Sequence, residues 1–271
     1  MSRTRRVRVG LTLPSFVDDP DIPIAVAHAA EEAGLDAVFV FDHLWRGDLP
    51  NRRPALECFS LLGAVAAETT RIQVGTLVAR ATLRPAATLA NCLRTAQRVS
   101  DGRLIAAIGA GDSQSRAENE AFGLPFGAMV DRVAALHDAV RAAGGNDFPV
   151  WVAGHASPVR EIAALADGWN GWGHRPEHFA HEVALVREVA PDATLTWGGL
   201  ILTGADEAAA QTKAERRSLS DDVLVGGPAR LAEQLAEYVD RGAAWVIVGP
   251  LDSSDPANAA PLAEVRALLQ G

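Results

Sequence analysis

The feature that most limits what this chain can fold into is a repeated alternation. Short apolar runs of strand length are separated, from one end to the other, by longer stretches with helical periodicity. The first run is Val7 to Leu13, stopped by Pro14. A helical pattern follows from Ile22 to Ala33 and closes on Gly34, a helix-ending residue. Ala37 to Phe41 is continuously apolar, as a strand buried on both faces must be. Further strands are expected at Ile72 to Val78, Leu104 to Ile108, Pro149 to Ala153, Trp169 to Trp172, Thr194 to Leu202 and Trp245 to Val248. Between and after them lie helical patterns at Leu56 to Glu68, Pro85 to Ser100, Val130 to Ala143, Pro158 to Ala166, Pro176 to Val189, Glu207 to Arg217, Pro228 to Arg241 and Ala259 to Leu269.

About eight strand–helix units in a chain of this length predict an α/β protein, a closed (β/α)8 (TIM) barrel. A doubly wound open sheet would place a glycine-rich turn after the first strand. The residues there are Pro14-Ser15-Phe16-Val17-Asp18-Asp19. No linker or shift in composition divides the chain, so residues 1–271 are expected to form a single barrel domain. The stretch 109–127 has the weakest periodicity and reads as a loop over the mouth, with room for one short helix.

The formal net charge is -9, which disfavours binding to a nucleic-acid backbone. The basic start (Arg3, Arg5, Arg6, Arg8) has no interleaved aromatics and reads as a solvated lead into the first strand. The two cysteines, Cys58 and Cys92, sit in apolar helical patterns outside any CxxC unit and read as core thiols. No apolar stretch is long enough to span a bilayer, and no cleavage-site pattern follows the N-terminus; a soluble cytoplasmic protein is expected.

In a parallel barrel the chemistry sits at the C-terminal ends of the strands. Asp42-His43 ends the second strand. Histidine exchanges protons near neutral pH, and adjacent residues at a strand end point in different directions. One of the pair would then face the mouth while the other orients the loop; a structural Asp beside a bystander His is the competing reading. Gly109-Ala110-Gly111-Asp112 ends the fourth strand, where glycines admit a close ligand and Asp112 offers a carboxylate that would pair with the imidazole of the neighbouring strand as a catalytic acid and base. A tight turn with a solvated Asp explains the same residues. Gly154-His155-Ala156-Ser157-Pro158 leads into a helix and suits a phosphate, or simple capping by Ser157. Trp172 can stack on a planar ring. The seven histidines form no metal-ligand motif, so no metal is expected. His28, His137, His178 and His181 read as surface or packing residues.

At these positions the sequence resembles the luciferase-like monooxygenase superfamily, and in particular its branch dependent on the deazaflavin F420. The likeness runs through Glu31-Glu32-Ala33-Gly34-Leu35-Asp36-Ala37-Val38-Phe39-Val40-Phe41-Asp42-His43 and Ala67-Glu68-Thr69-Thr70-Arg71-Ile72-Gln73-Val74-Gly75-Thr76. It continues in Ser100-Asp101-Gly102-Arg103-Leu104, Ile108-Gly109-Ala110-Gly111, Trp151-Val152-Ala153-Gly154, Ala166-Asp167-Gly168-Trp169-Asn170 and Gly226-Gly227-Pro228. Each motif is loose alone; their order along the chain is what is specific.

The resemblance implies that Asp42 contacts the deazaflavin and that His43 does acid/base work beside it. It implies a bulge, often with a non-proline cis peptide, near Leu77-Val78, so that Thr76, Leu77 and Val78 back the cofactor ring with Gly109 and Gly111. Gly154, Ser157, Gly168 and Trp169 fall where relatives hold the cofactor's phosphate. Asp112 stands where the branch's sugar-phosphate dehydrogenases carry Glu. The implied reaction is hydride transfer between F420 and a small organic substrate. An FMN-dependent monooxygenase using molecular oxygen, and a non-catalytic flavin-binding relative, remain as alternatives. A homodimer is the assembly that the resemblance allows. Arg46, Arg52 and Arg53 are candidates for an anionic substrate or for the acidic tail of F420, or are solvated loop charges.

Overall fold

The computed structural model describes residues 6–46, 53–112, 115–145 and 147–271. The barrel strands are β1 (Arg8–Thr12), β2 (Ala37–Val40), β3 (Gln73–Arg80), β4 (Leu104–Gly109), β5 (Val150–Ala153), β6 (Gly168–Trp172), β7 (Thr194–Thr203) and β8 (Trp245–Pro250). Each pairs in parallel with its sequence neighbours, β8 with β1, and β6 with β7, so the sheet closes without an edge. The helices are α1 (Asp21–Glu32), α2 (Cys58–Glu68), α3 (Ala86–Val99), α4 (Ser115–Ala121), α5 (Met129–Ala143), α6 (Ala156–Ala163), α7 (Pro176–Val189), α8 (Glu207–Ala214), α9 (Pro228–Asp240) and α10 (Ala259–Leu269). This is the expected (β/α)8 barrel. The departures from the sequence reading are short. Trp45–Arg46 and Arg53–Pro54 form a small antiparallel hairpin, and Leu224–Gly226 adds a strand along the end of β7. Such two- and three-residue pairings are too brief to leave a periodic signature.

Two apolar layers follow from the strand period of two. Phe39, Ile105, Trp151, Trp245 and Ile247 pack together within the barrel. Their neighbours along the strands, among them Val38, Val40, Ala106, Ile108, Val152 and Val246, pack with the helices. Phe39 needs space that only absent side chains supply. A Cβ on Gly10 or Gly75 would lie 2.8 or 2.9 Å from its ring, and a Cβ on Gly75 would also meet the Ile105 carbonyl at 2.4 Å. Cys58 is buried and Cys92 partly so; both are free thiols, and burial pushes Cys58 well above the ordinary thiol range. Among the described residues no helix is long and apolar enough to cross a membrane.

Polar clamps tie the N-terminal face of the barrel together. Glu31, at the end of α1, accepts the backbone amides of Thr70, Arg71 and Ile72 just before β3. Asp36 accepts the Val9 amide and a bidentate pair from Arg266 of α10, at 2.7 and 2.9 Å. Arg103 donates to the Ala66, Thr69 and Ile72 carbonyls, closing the end of α2 onto the start of β3. Asp167 accepts the Val150 amide.

Burial opposes the charge of Glu31, but the three amides outweigh it and hold the carboxyl down to about 2. Its folded pKa therefore lies below its unfolded value. The stabilisation is present above the unfolded pKa, near 4.5, and is lost as pH falls toward 2. Glu31→Gln is expected to lower the urea midpoint at pH 6, with the gap to the natural protein narrowing between pH 5 and 2. Unfolding curves across that pH range measure it; a gap independent of pH would contradict the clamp.

Candidate active site

The C-terminal face carries a cleft of about 1270 Å³. It opens between the ends of β1, β2 and β8 and reaches Trp172 on β6 and Leu200 on β7. Phe16, Phe41 and Trp172 form an aromatic wall: Phe16 and Phe41 stack at 6.3 Å, and Phe41 meets Trp172 edge-on at 6.3 Å. His43 completes the wall, with its ring 5.7 Å from Phe16. Ser15 also lines the cleft, fully buried, and its Oγ has no hydrogen-bond partner among the described residues. A buried hydroxyl without a partner is costly unless a ligand meets it.

Asp42 and His43 diverge, as alternation at a strand end requires. Asp42 turns inward and is 2% exposed. It accepts the Arg80 amide at 2.9 Å and a two-pronged contact from Arg84, at 2.6 and 3.1 Å. Burial works against the Arg84 charge, but Asp42 and Glu57 more than offset it and raise its pKa. His43 turns the other way, to the cleft, with its Nδ1 2.8 Å from Glu118 Oε1.

Glu118 lies on α4 and is 2% exposed. It also accepts the Leu44 amide at 2.6 Å and the Arg80 guanidinium at 3.0 Å. Burial opposes its charge, yet the His43 and Leu44 hydrogen bonds and the nearby cations keep its carboxyl below the ordinary range. An ionised carboxylate only accepts hydrogen bonds. Nδ1 of His43 therefore carries a proton, and Nε2 is the nitrogen left to give or take one. Arg80, itself buried, joins the two halves. Its Nε donates to the Asp42 carbonyl at 2.6 Å and its Nη1 to Asn119 at 3.0 Å, while pairing with Glu118.

The other expected site residues occupy different places. The Asp112 Oδ1 accepts the Ser115 amide and hydroxyl at 2.9 and 3.0 Å, heading α4. The carboxylate beside His43 is Glu118, from the stretch whose weak periodicity hid a helix. The Leu77–Val78 peptide is cis, and the β3–β4 register shifts between Thr76 and Ala79. Thr76 is buried, its hydroxyl donating to the Ala107 carbonyl. Gly109 admits Val78, whose Cγ2 would lie 2.7 Å from a Cβ there. Gly111 has a φ of +75° beside Arg80.

Gly154 and Ser157 lie where β5 passes into α6, and neither lines the large cleft. Gly168 starts β6 and so sits at the opposite end of the barrel from the cleft. Trp169 is fully buried, donates to the Gly154 carbonyl at 3.0 Å and stacks on Phe179; it packs the core. Arg53 lines the cleft, joined by Arg116. Arg52 lies outside the described residues, as do Arg3 and Arg5.

Residues 4–220 match the family described as luciferase-like monooxygenase. The chain belongs to that family. An F420-dependent glucose-6-phosphate dehydrogenase from Beutenbergia cavernae is 36% identical over 123 residues, which are 43% of this chain and 34% of that protein. The chain thus matches about a third of the length of this curated relative. An F420-dependent secondary alcohol dehydrogenase, solved with an F420–acetone adduct, superposes with a TM-score of 0.82 at 13% identity, covering 98% of this chain and 100% of that one. A riboflavin lyase solved with modified FMN and riboflavin gives 0.79 at 14% identity, covering 97% and 90%. At such identities the structures share the fold of this luciferase-like protein; both cofactors occur on it.

The Asp42–Arg84 contact makes a direct prediction. Arg84→Met leaves a buried carboxylate without its main cation and should cost roughly 3–5 kcal/mol. The double variant Asp42→Asn/Arg84→Met should recover much of that loss, a strong non-additivity. Urea unfolding of the four proteins in the cycle measures it. Additive effects would show the pair to be independent.

Proposed function

We propose that this luciferase-like protein is an F420-dependent oxidoreductase, moving a hydride between the deazaflavin and a small alcohol, carbonyl or activated alkene. The observation that carries the reading is the His43–Glu118 pair. It is an imidazole on the wall of a large cleft, with one nitrogen committed to a buried carboxylate and the other left for chemistry.

The site suits such a cofactor. The aromatic wall offers a flat apolar surface for a tricyclic ring, and the unpartnered Ser15 hydroxyl offers a hydrogen bond to its polar edge. Arg53 adds positive charge at the rim, suited to an acidic tail, and Arg116 lies there paired with Glu120. When bound, F420 would supply the two-electron hydride chemistry, with the protein supplying position and electrostatics. Nε2 of His43 would hold or deliver the proton that a carbonyl or alcohol oxygen exchanges as the hydride moves. Glu118 would set the tautomer and orientation of the ring, the role of the third group in a general-base relay. Asp42 would act at a distance: by holding Arg84 and Arg80 it fixes the loop that carries His43. Gly154 and Ser157 remain candidates for the cofactor's phosphate, at the start of α6.

An FMN-dependent reaction with oxygen is the second reading, favoured by the riboflavin lyase sharing this fold. Fluorescence titrations with F420 and FMN side by side separate the two. Tighter binding of F420, with turnover on a panel of alcohols, carbonyls and activated alkenes, is expected. Tighter binding of FMN, with oxygen consumed when it is reduced, would overturn the assignment.

Within the F420 reading, His43→Ala should bind cofactor normally and lose about 10²–10⁴-fold in kcat. Glu118→Gln should keep the cleft but lose a smaller share of kcat and shift the pH profile. Full turnover by His43→Ala would end the catalytic assignment.

A further inference from the structure

Away from the large cleft, three histidines meet at the ends of β5 and β6. His155 follows β5, His174 follows β6, and His178 lies in the first turn of α7. The rings stack with centroids 5.1 Å apart for His155 and His174, 4.3 Å for His174 and His178, and 5.7 Å for His155 and His178. One nitrogen from each ring lies within 4.8 Å of the other two. The cluster does not line the His43 cleft; His155 lies between Gly154 and Ser157, the candidates for the cofactor's phosphate, but no histidine of the cluster is used in the proposed proton transfer.

We propose that His155, His174 and His178 form a binding site for a divalent first-row transition ion of the zinc class, with a fourth position open to water.

The chemistry favours such an ion. Imidazole is a ligand that zinc, copper and nickel share, and three protein ligands with one open position is a common zinc arrangement. Ligand nitrogens on one tetrahedral zinc stand roughly 3.4 Å apart, as follows from a Zn–N length of about 2.1 Å. His155 and His178 are exposed, so modest χ rotations can close the remaining gap. His174 is only 6% exposed and supplies the fixed member.

The surroundings hold the site in shape. Trp197 donates to the His174 carbonyl at 2.9 Å, and the Gly173 amide donates to Gly198 at 2.7 Å. Trp169 holds the Gly154 carbonyl immediately before His155. Nε2 of His178 lies 3.2 Å from the buried Glu182 carboxylate, the kind of second partner that orients a ligating histidine and raises its basicity. His174 Nδ1 is buried beside Gly171, without a hydrogen-bond partner among the described residues.

The test is zinc titration by calorimetry on tag-free protein stripped with a chelator, paired with the cobalt(II) absorption spectrum. One equivalent of zinc should bind, and cobalt should give the intense visible bands of a tetrahedral nitrogen site. His155→Gln and His178→Gln, both at exposed positions, should keep the melting temperature of the stripped protein and each weaken zinc binding. Glu182→Gln should weaken it by roughly 10–100-fold. The proposal falls if zinc is not taken up stoichiometrically, or if the His155→Gln/His178→Gln double variant binds it as well as the natural protein. It also falls if inorganic phosphate, and not zinc, binds the stripped protein in a manner that these two substitutions abolish; the cluster would then be an anion site. None of these readouts depends on F420, so failure here and failure of the cofactor assignment are distinguishable.

Discussion

The candidate active site depends on a buried cation. Arg80, at the last position of β3, sits between the Asp42 main chain and the Glu118 carboxylate and is almost wholly withdrawn from water. Burial lowers its pKa, and the charges of Glu118 and Asp42 oppose that effect. A charge in this position is tolerable only when its partners surround it. The same requirement ties α4 to the barrel, through Glu118 and Asn119, and gives His43 a fixed partner. The acid/base geometry is thus a by-product of neutralising one arginine. Asp42, which the F420 resemblance places against the cofactor, accepts the Arg84 guanidinium and the Arg80 amide.

The two faces of the barrel divide the work. On the N-terminal face, Glu31, Asp36, Arg103 and Asp167 pin strand starts to helix ends. These residues belong to the stretches that carry the family likeness, so much of that likeness records how the barrel is closed at its base. On the C-terminal face the aromatic wall, Ser15 and His43 shape a cleft, and its lining includes Gly249 to Pro256, beyond the matched segment. The local sequence of the rim is less constrained by the fold, and that is where members of one family are free to differ in substrate.

The barrel was legible because buried parallel strands and amphipathic helices write opposite periodicities into the chain. Asp42-His43 was legible because a strand end sends neighbouring side chains apart. Glu118 was not. It lies among Ser115–Ala121, a seven-residue helix too short for its period to stand out, and nothing local links it to a histidine 75 positions earlier. The same blindness made Asp112 the expected partner, since it follows the glycines of β4 directly; a nearby helix start claimed it as a cap instead. The resemblance implies a phosphate at Gly168 and Trp169; along β6, Trp169 lies in the core and Gly168 at the start of the strand.

The sequence by itself determined the class of fold, the order of its strands and the placement of His43 and Trp172 at strand ends. Each of these is a local property, set by periodicity or by alternation. Only the tertiary structure decided which carboxylate meets His43, which cation meets Asp42, and that His155, His174 and His178 share one corner of the rim. The pairings of His43 and Asp42 join residues far apart in the chain, and the histidine corner joins the ends of two neighbouring strands; closure of the barrel brings them together to satisfy charges and polar atoms that burial had removed from water.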